Sequence, residues 1–413
     1  MRNLRIGLLL GLRQIQRANI WTNVLIIFVM TLTFLNLIAV SGLLVGLMVG
    51  SERAFREQSI GDLVLTAKPN ERTILQTQDI VRTLTTYPDI QSFTVRYVDT
   101  AHVEANYAHR DLHAERDTVN VRLRGIDPVA EDTTSHLSKR IIEGSYLSPD
   151  DEGYILLGNY TLDRYAVGFG TIFDSLSNIH IGDSVRVTVG TISKEFKVKG
   201  IVKSKVEEVS MSMFIPEKEF RRVFGRFDRN ADQIAVRAKP NTTGDALKAA
   251  MIQGGLDADA KIETFAEATP KFLTDIKNTF NILGTLIGSI GLVVASITIF
   301  IIIFINALSR RRHIGILKAV GIERSVIELA YVSQAAFYAV TGSIIGILIT
   351  YGILVPYFDS HPINFPFSDG VLVVETSSII IRTIILFVIT LIAGFVPAWL
   401  IARQNTLNAI LGR

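Results

Sequence analysis

Four long apolar runs dominate the pattern of hydrophobic and polar positions along the chain. They cover residues 24–50, 279–308, 329–355 and 378–402, and each meets the roughly 20 helical residues that a bilayer crossing requires. The first run is longer than the apolar core of a signal peptide, and no small-residue cleavage pattern follows it. The pattern predicts four membrane-spanning helices, the first of them a retained signal anchor.

A different pattern fills residues 51–278. Strand-like alternation marks four segments, at 61–67, 93–105, 119–127 and 233–238. Helical spacing marks two others, 76–87 and 243–255. Alternating valines before the Gly190-Thr191 pair predict a hairpin. We expect an α+β domain of two β-α-β halves, with a β-rich module at about 128–205 inserted between them.

Charge separates the same regions. The 413 residues carry a net charge of +3, yet all but five of the 39 acidic residues lie in 51–278. Lys and Arg of the apolar flanks cluster in three short segments, 1–23, 309–328 and 403–413, whereas the loop 356–377 has none. Because short basic segments stay in the cytoplasm, we expect a multi-pass protein of the cell membrane. Both termini would be inside, and the central domain and the loop outside.

Residues 1–23 combine apolar residues at helical spacing with basic residues. Leu4, Leu8, Leu12 and Ile15 recur at helical spacing, with Arg5 and Arg13 interleaved. This arrangement predicts an amphipathic helix on the inner membrane surface. A merely basic leader segment is the alternative.

Small residues four positions apart recur in the apolar runs. Glycines at this spacing let two helices approach closely, within one chain or between two. We expect packing within the bundle, and dimerisation through at least one of the pairs Gly42/Gly46, Gly284/Gly288 and Gly342/Gly346. Arg382, near the outer end of the fourth run, is expected to extend to the lipid head groups. Contact with a substrate is its alternative role.

Signatures of chemistry are absent from the sequence. Without cysteine there is no thiol nucleophile or Cys-ligated metal. His102, His109 and His113 lie close together, but their surroundings are typical of a solvated loop, so we expect no metal site. No catalytic residues are predicted, and no Gly-x-x-x-x-Gly-Lys-Ser/Thr phosphate loop occurs. Any ATP and Mg²⁺ would therefore be bound by a partner, and this chain would hold no cofactor.

The segment after the second apolar run combines charge with amphipathic spacing. A basic cluster that includes Arg310 and Arg312 is followed by a short amphipathic helix that ends near Gly321. Ile314, Leu317 and Val320 would form one apolar edge of it. Positive charge at the inner membrane surface explains the arginines but not the helix that follows them, so we expect a docking site for a partner. A continuous helix over 270–308 would lead into it.

This segment closely resembles the cytoplasmic motif of the MacB/FtsX-like permeases, the type VII group of ABC transporters. Ten positions fit the motif: Arg310, Arg312, Ile314, Gly315, Ile316, Leu317, Lys318, Ala319, Val320 and Gly321. His313 stands where the family usually has Glu. The ending "FVPAWLIAR" and outer-domain pieces such as "GDLVLTAK" and "LRGIDP" are similar to the family as well.

The resemblance implies a porter-like outer domain that carries an inserted β-rich subdomain. It also implies a homodimer, or a heterodimer with a sister permease, that sits on two copies of an ABC ATPase subunit. The coupling residues would be Arg310, Arg312, His313, Ile314, Gly315, Leu317, Lys318, Val320 and Gly321. An extracytoplasmic accessory or substrate protein and the lipid bilayer complete the expected partners, and nucleic acid is not among them.

We therefore expect a permease subunit, not an enzyme, in which ATP hydrolysis by a separate subunit moves the outer domain. The output would be export or release of a hydrophobic, peptide or lipoprotein substrate. The alternative is a membrane-anchored sensing or recruitment module that regulates cell-envelope enzymes or a signalling partner. An outer-facing enzyme would need a catalytic constellation that the sequence does not show.

Overall fold

The computed structural model describes residues 2–107, 117–165, 174–269, 271–370 and 372–403. The chain divides into two units. The first, called the helical unit, comprises Met1–Val49, Thr274–Asn364 and Asp369–Arg413. The second, called the sheet domain, comprises Gly50–Leu273 and Phe365–Ser368.

The elements follow one another in the order that the apolar and alternating patterns predict. The chain begins with two helices, α1 (Arg2–Gln16) and α2 (Ile20–Phe55). The sheet domain follows with β1 (Leu63–Thr66), α3 (Thr77–Leu84), β2 (Ile90–Glu104), β3 (Thr118–Ile126), α4 (Pro128–Ser135), β4 (Ile141–Gly144), β5 (Tyr154–Gly158), β6 (Ser184–Val189), β7 (Ile192–Val202), α5 (Glu207–Ser210), β8 (Ser212–Pro216), α6 (Glu217–Val223), β9 (Gln233–Ala238), α7 (Gly244–Gln253), β10 (Lys261–Thr264) and α8 (Phe265–Ala268). The last elements are α9 (Lys271–Ser309), α10 (Arg311–Ala319), α11 (Arg324–Ile349), α12 (Val355–Ser360), β11 (Ile363–Phe365), β12 (Ser368–Gly370) and α13 (Thr376–Ala402).

Two β-α-β halves form one part of the sheet domain. The first half is β1-α3-β2 and the second is β9-α7-β10, and their strands lie in the order β10-β1-β9-β2 with antiparallel pairing. This is the split β-α-β arrangement. Leu63 and Leu65 of β1 pack with Ile80 of α3 and Leu247 of α7 in one core, while Val64 between them is buried in a second core. The two predicted halves are therefore present.

The inserted strands continue the same sheet. Beyond β2 the order is β3-β8-β5-β7-β4, and β6 pairs with both β2 and β7. The predicted hairpin is β6-β7, with Gly190 at a φ of 57° in its turn. The insertion starts at Thr118 and its last helix ends at Val223, beyond both limits of the expected module at 128–205. The reason is the long β2–β3 ladder, which holds the insertion in the sheet from its first strand.

A buried ion pair links the first half to the insertion. Arg96 of β2 donates from Nε and Nη2 to the two carboxylate oxygens of Glu131 in α4, at 2.8 and 2.6 Å. The hydroxyls of Thr94 and Ser135 donate to the same carboxylate at 3.0 and 2.7 Å. Both charged side chains are at most 3% exposed. The guanidinium of Arg96 holds the pKa of Glu131 below its usual range against the opposing effect of burial.

Among the described residues, four helices, centred on α2, α9, α11 and α13, are long and apolar enough to cross a membrane. About 44% of the most apolar stretch of α2 is buried, against only 12% for α9. Helix α9 therefore leaves most of its apolar surface uncovered by the described residues of this chain.

Helix α1 packs on α11. A Cβ placed on Gly7 or Gly11 would meet Leu329 or Ser333, so these glycines let the two helices approach closely. The predicted helix is present, but Leu8 and Leu12 are about half exposed, whereas Gly11 is buried. The face of α1 that touches protein is thus the glycine face, and the leucines point away from it.

Candidate functional site

The basic cluster and helix α10, which follows it in sequence, connect α9 to α11. Helix α9 ends at Ser309, Arg310 stands at the N-cap of α10, and Val320 closes α10. Gly321 follows with a φ of 93°, in the left-handed region that glycine adopts at no steric cost. The chain can therefore reverse at once and start α11 at Arg324.

One face of α10 is buried in the helical unit. Ile314 is only 3% exposed and belongs to the same apolar cluster as Ala307, Ile327 and Tyr331. Gly315 is buried and Leu317 is half-buried. The expected apolar edge of Ile314, Leu317 and Val320 is therefore corrected, since Ile314 lies in the core of this chain.

The exposed apolar face of α10 consists of two other residues. Ile316 is 47% exposed and Val320 is 78% exposed, and a spacing of four places them next to each other on the helix surface. Arg312, His313 and Arg324 are exposed around them. The segment thus presents a small apolar patch, Ile316 and Val320, with basic side chains at its rim.

Lys318 anchors α10 to the end of another helix. Its Nζ donates to the backbone carbonyl of Ala402, the last residue of α13, at 2.9 Å. A lysine at a helix C-terminus satisfies an otherwise unpaired carbonyl and interacts favourably with the helix dipole. Burial, and next the charge of Arg324, lower the pKa of Lys318. This predicted coupling residue therefore positions α10.

The predicted glycine pairs face other parts of the same chain. A Cβ on Gly342 would lie 2.5 Å from Met30 Cβ, and one on Gly346 would lie 2.3 Å from the Phe34 ring. Gly284 and Gly288 face Leu44 and Leu37 of α2, Gly42 faces Leu372, and Gly46 is buried. Of the two expected uses of these glycines, the contacts correspond to packing within the chain.

Arg382 makes its hydrogen bonds to another helix of the same chain. Its guanidinium donates to the carbonyl of Leu37 and to the hydroxyl of Ser41, both in α2. Hydrogen bonds to a partner within the bundle replace the hydration that the charge loses. Arg382 therefore links α13 to α2.

No group of three or more His, Cys, Asp or Glu side chains suited to a metal ion occurs among the described residues. His102 Nδ1 lies 3.1 Å from Asn120 Oδ1 on the neighbouring strand. His109 and His113 lie outside the described residues.

Comparison with known proteins matches both halves of this architecture. Residues 285–406 match the FtsX-like permease C-terminal family, and residues 30–253, more than half of the chain, match the MacB-like periplasmic core domain. The chain belongs to the MacB/FtsX-like family of ABC transporter permeases. The predicted fold class, a four-helix membrane part with a large extracytoplasmic domain of mixed helices and strands, is thereby confirmed.

Individual relatives are distant. The chain is 26% identical over 266 residues to an uncharacterized ABC transporter permease of Methanocaldococcus jannaschii, covering 60% of this chain and 63% of that one. It is 24% identical over 230 residues to the macrolide export ATP-binding/permease protein MacB of Campylobacter jejuni, covering 53% and 34%. The chain thus spans less than two thirds of the length of either relative.

Two solved structures align with about half of the chain. The periplasmic region of MacB from Actinobacillus actinomycetemcomitans aligns with a TM-score of 0.35 and 16% identity, covering 51% of this chain and 92% of that one. The extracellular domain of the transporter YknZ from Gram-positive bacteria aligns with a TM-score of 0.33 and 12% identity, covering 49% and 99%.

Proposed function

We propose that the exposed patch on α10 docks on a separate ABC ATPase subunit and that the chain couples ATP hydrolysis there to movement of the sheet domain. The observation that carries this proposal is the patch itself, Ile316 and Val320 within a basic rim. Apolar side chains at the centre and charged side chains at the edge are the usual composition of a protein interface. The short basic segments support a cytoplasmic location for this side of the membrane, where ATP is available.

In this proposal the ATPase is another chain. The 413 residues contain no phosphate loop, and the catalytic Mg²⁺-ATP would lie in that partner. Two ATPase copies would serve a pair of permease chains. This chain itself contributes no catalytic residue and no cofactor site to the proposal.

Helix α9 is the proposed transmission element. It runs for 39 residues without interruption from Lys271, beside the end of the sheet domain in sequence, to Ser309, next to α10. At 1.5 Å per residue its length is about 59 Å. A continuous helix of this length can pass a displacement of α10 to the extracytoplasmic side without opening a path through the bilayer.

A second permease chain, identical or a sister, would cover part of α9. Its uncovered face carries exposed Ile282, Leu286, Ile290, Val293, Ile297 and Ile301. An apolar face of this kind can pack against a second helix as well as against lipid. The proposed output is export or release of a hydrophobic, peptide or lipoprotein substrate, with an extracytoplasmic accessory protein as a further partner.

Copurification from the native membrane tests the docking proposal. The Ile316→Glu/Val320→Glu double variant should lose an ATP-binding subunit that the wild type retains, because two carboxylates would then be buried at the interface centre. A matched control is Val129→Glu/Ile192→Glu, which places the same charges on exposed positions of the sheet domain. If wild-type protein brings down no ATP-binding subunit, or if the double variant retains it, the proposal is wrong.

A further inference from the structure

A cavity opens beside β3 in the sheet domain. Strand β3 lies between β2 and β8, and β8 pairs with it only from Arg122 onward. Among the described residues, therefore, no strand pairs with Val119–Val121 on the β8 side of β3. A cavity of about 490 Å³ lies there, within the size range of small-molecule sites. Its apolar lining comes from Val119, Val121, Tyr160 and Met211.

The polar end of this cavity continues into a second one. A cavity of about 360 Å³ shares Thr100, Arg122 and Glu208 with the first and adds Arg124 to the lining. Period-two alternation along β3 places Arg122 and Arg124 on the same face of the sheet. The two cavities therefore adjoin at a cluster of two arginines and one glutamate.

Two guanidinium groups share one carboxylate at this junction, while the exposed side chains of Asp99 and Asp174 line other parts of the two cavities. Arg122 Nη1 and Arg124 Nη2 both donate to the same oxygen of Glu208, at 2.5 and 2.7 Å. Asp232, which also lines the second cavity, is paired with Arg226 at 3.1 Å. One carboxylate thus serves two guanidinium groups.

Arg124 has hydrogen-bonding capacity left over. Its side chain is only 2% exposed, and its Nε has no hydrogen-bond partner among the described residues. Burial lowers the pKa of Arg124, with Glu208 as the opposing influence. A buried guanidinium with a shared counter-ion is stabilised by any further anion that reaches it.

We propose that the adjoining cavities bind a compact organic anion. Its apolar body would lie against Val119, Val121, Tyr160 and Met211, and its carboxylate or sulfonate would meet Arg122 and Arg124. Glu208 would compete with the ligand for both guanidinium groups. The site stands on the geometry of the sheet domain and does not rest on ATPase coupling.

Isothermal titration calorimetry of the full chain in lipid nanodiscs tests the site, with empty nanodiscs as the blank and without ATP. Three probes share one ring system and differ in charge: naphthalene-2-sulfonate, naphthalene-2-sulfonamide and 2-naphthylmethylammonium. The sulfonate should bind at least tenfold more tightly than the other two. Equal binding of the three, preference for the cation, or no saturable binding of the sulfonate at millimolar concentration would overturn the proposal.

Two substitutions at the junction have opposite expected effects. Arg122→Gln, at a side chain that is 61% exposed, should weaken sulfonate binding about tenfold, the value of one charge-assisted contact. Glu208→Gln should tighten it, because the competing carboxylate is removed. Arg82→Gln, at a side chain that is 80% exposed on α3, is the control and should change nothing.

A purely structural role of the cluster would weaken binding in both junction variants. Tighter binding in Glu208→Gln therefore distinguishes competition for the arginines from a general disturbance of the fold. Thermal unfolding of each variant reports whether it has folded. If Glu208→Gln folds and binds the sulfonate no better than wild type, the proposed competition is refuted.

Discussion

Replacement of Glu131 by Gln should selectively destabilise the contact between the first β-α-β half and the insertion. Both carboxylate oxygens of Glu131 accept from Arg96, and each also accepts from one hydroxyl. In Gln one of these oxygens becomes an NH₂ group. The hydroxyl of Thr94 or Ser135 can turn to accept from it, but the arginine N–H cannot.

The expected magnitude follows from burial. The Arg96 side chain is 1% exposed, so the substitution leaves a guanidinium without its counter-ion in a site that water does not reach. Breaking a buried ion pair in this way costs about 3–5 kcal/mol. Glu195→Gln is the matched control, because Glu195 is 58% exposed and 3.5 Å from Arg186. That pair should contribute about 0–1 kcal/mol.

Amide hydrogen exchange of the full chain measures the difference where it arises. The free energy of opening for amides of β2 and α4 should fall in Glu131→Gln and stay near the wild-type value in Glu195→Gln. The effect should also depend on pH. Because the pKa of Glu131 is lowered in the folded protein, its stabilisation is present above the ordinary value of 4.5 and is lost as the pH falls through the folded pKa.

The thermal-unfolding difference between wild type and Glu131→Gln should therefore shrink on acidification from pH 7 to pH 3. Equal exchange in Glu131→Gln and Glu195→Gln would refute the reasoning, as would a difference that grows toward low pH.

Two further predictions concern the helical unit. Gly346→Ala should lower the thermal unfolding temperature in detergent, because the new Cβ would lie 2.3 Å from the Phe34 ring. Gly352→Ala is the control, since its new Cβ would meet no atom within 4 Å. Ile314→Ala should cost about 2–4 kcal/mol because it opens a cavity at a side chain that is 3% exposed, and Ile316→Ala, which is half exposed, should be near neutral. Similar unfolding temperatures for Ile314→Ala and Ile316→Ala would contradict the assignment of Ile314 to the buried face of α10.

Periodicity predicted those parts of the fold in which one element's own sequence decides its structure. Alternation located β1, β2, β3 and β9, and Thr243 caps α7 by accepting from the Ala246 amide at 3.3 Å. The β6-β7 hairpin follows from its turn residues. The extent of the insertion did not follow in this way, because pairing over nine residues of β2 and β3 depends on two strands at once.

The charged clusters of the sheet domain lie beyond sequence reasoning for the same reason. Arg96 and Glu131 are 35 positions apart, and Arg124 and Glu208 are 84 apart. Each arginine occupies a position that strand alternation assigns to the polar face, where a solvated charge is the ordinary expectation. Helices α4 and α5 cover this face of the sheet and bury the two arginines, which then need charged partners.

Helix α10 shows why an apolar pattern in the sequence does not by itself decide which face of a helix is exposed. Its apolar residues fall into two sets at helical spacing, Ile314 with Leu317 and Ile316 with Val320, and either set alone would make an amphipathic helix. The choice between them is made by the neighbouring helices, since Ile314 is buried in the apolar cluster that also contains Ile327 and Tyr331 of α11. A docking variant aimed at Ile314 would disturb the helical unit itself and could lose a partner through misfolding. Substitutions at Ile316 and Val320 change only exposed surface, so a loss of copurification in those variants reports on docking.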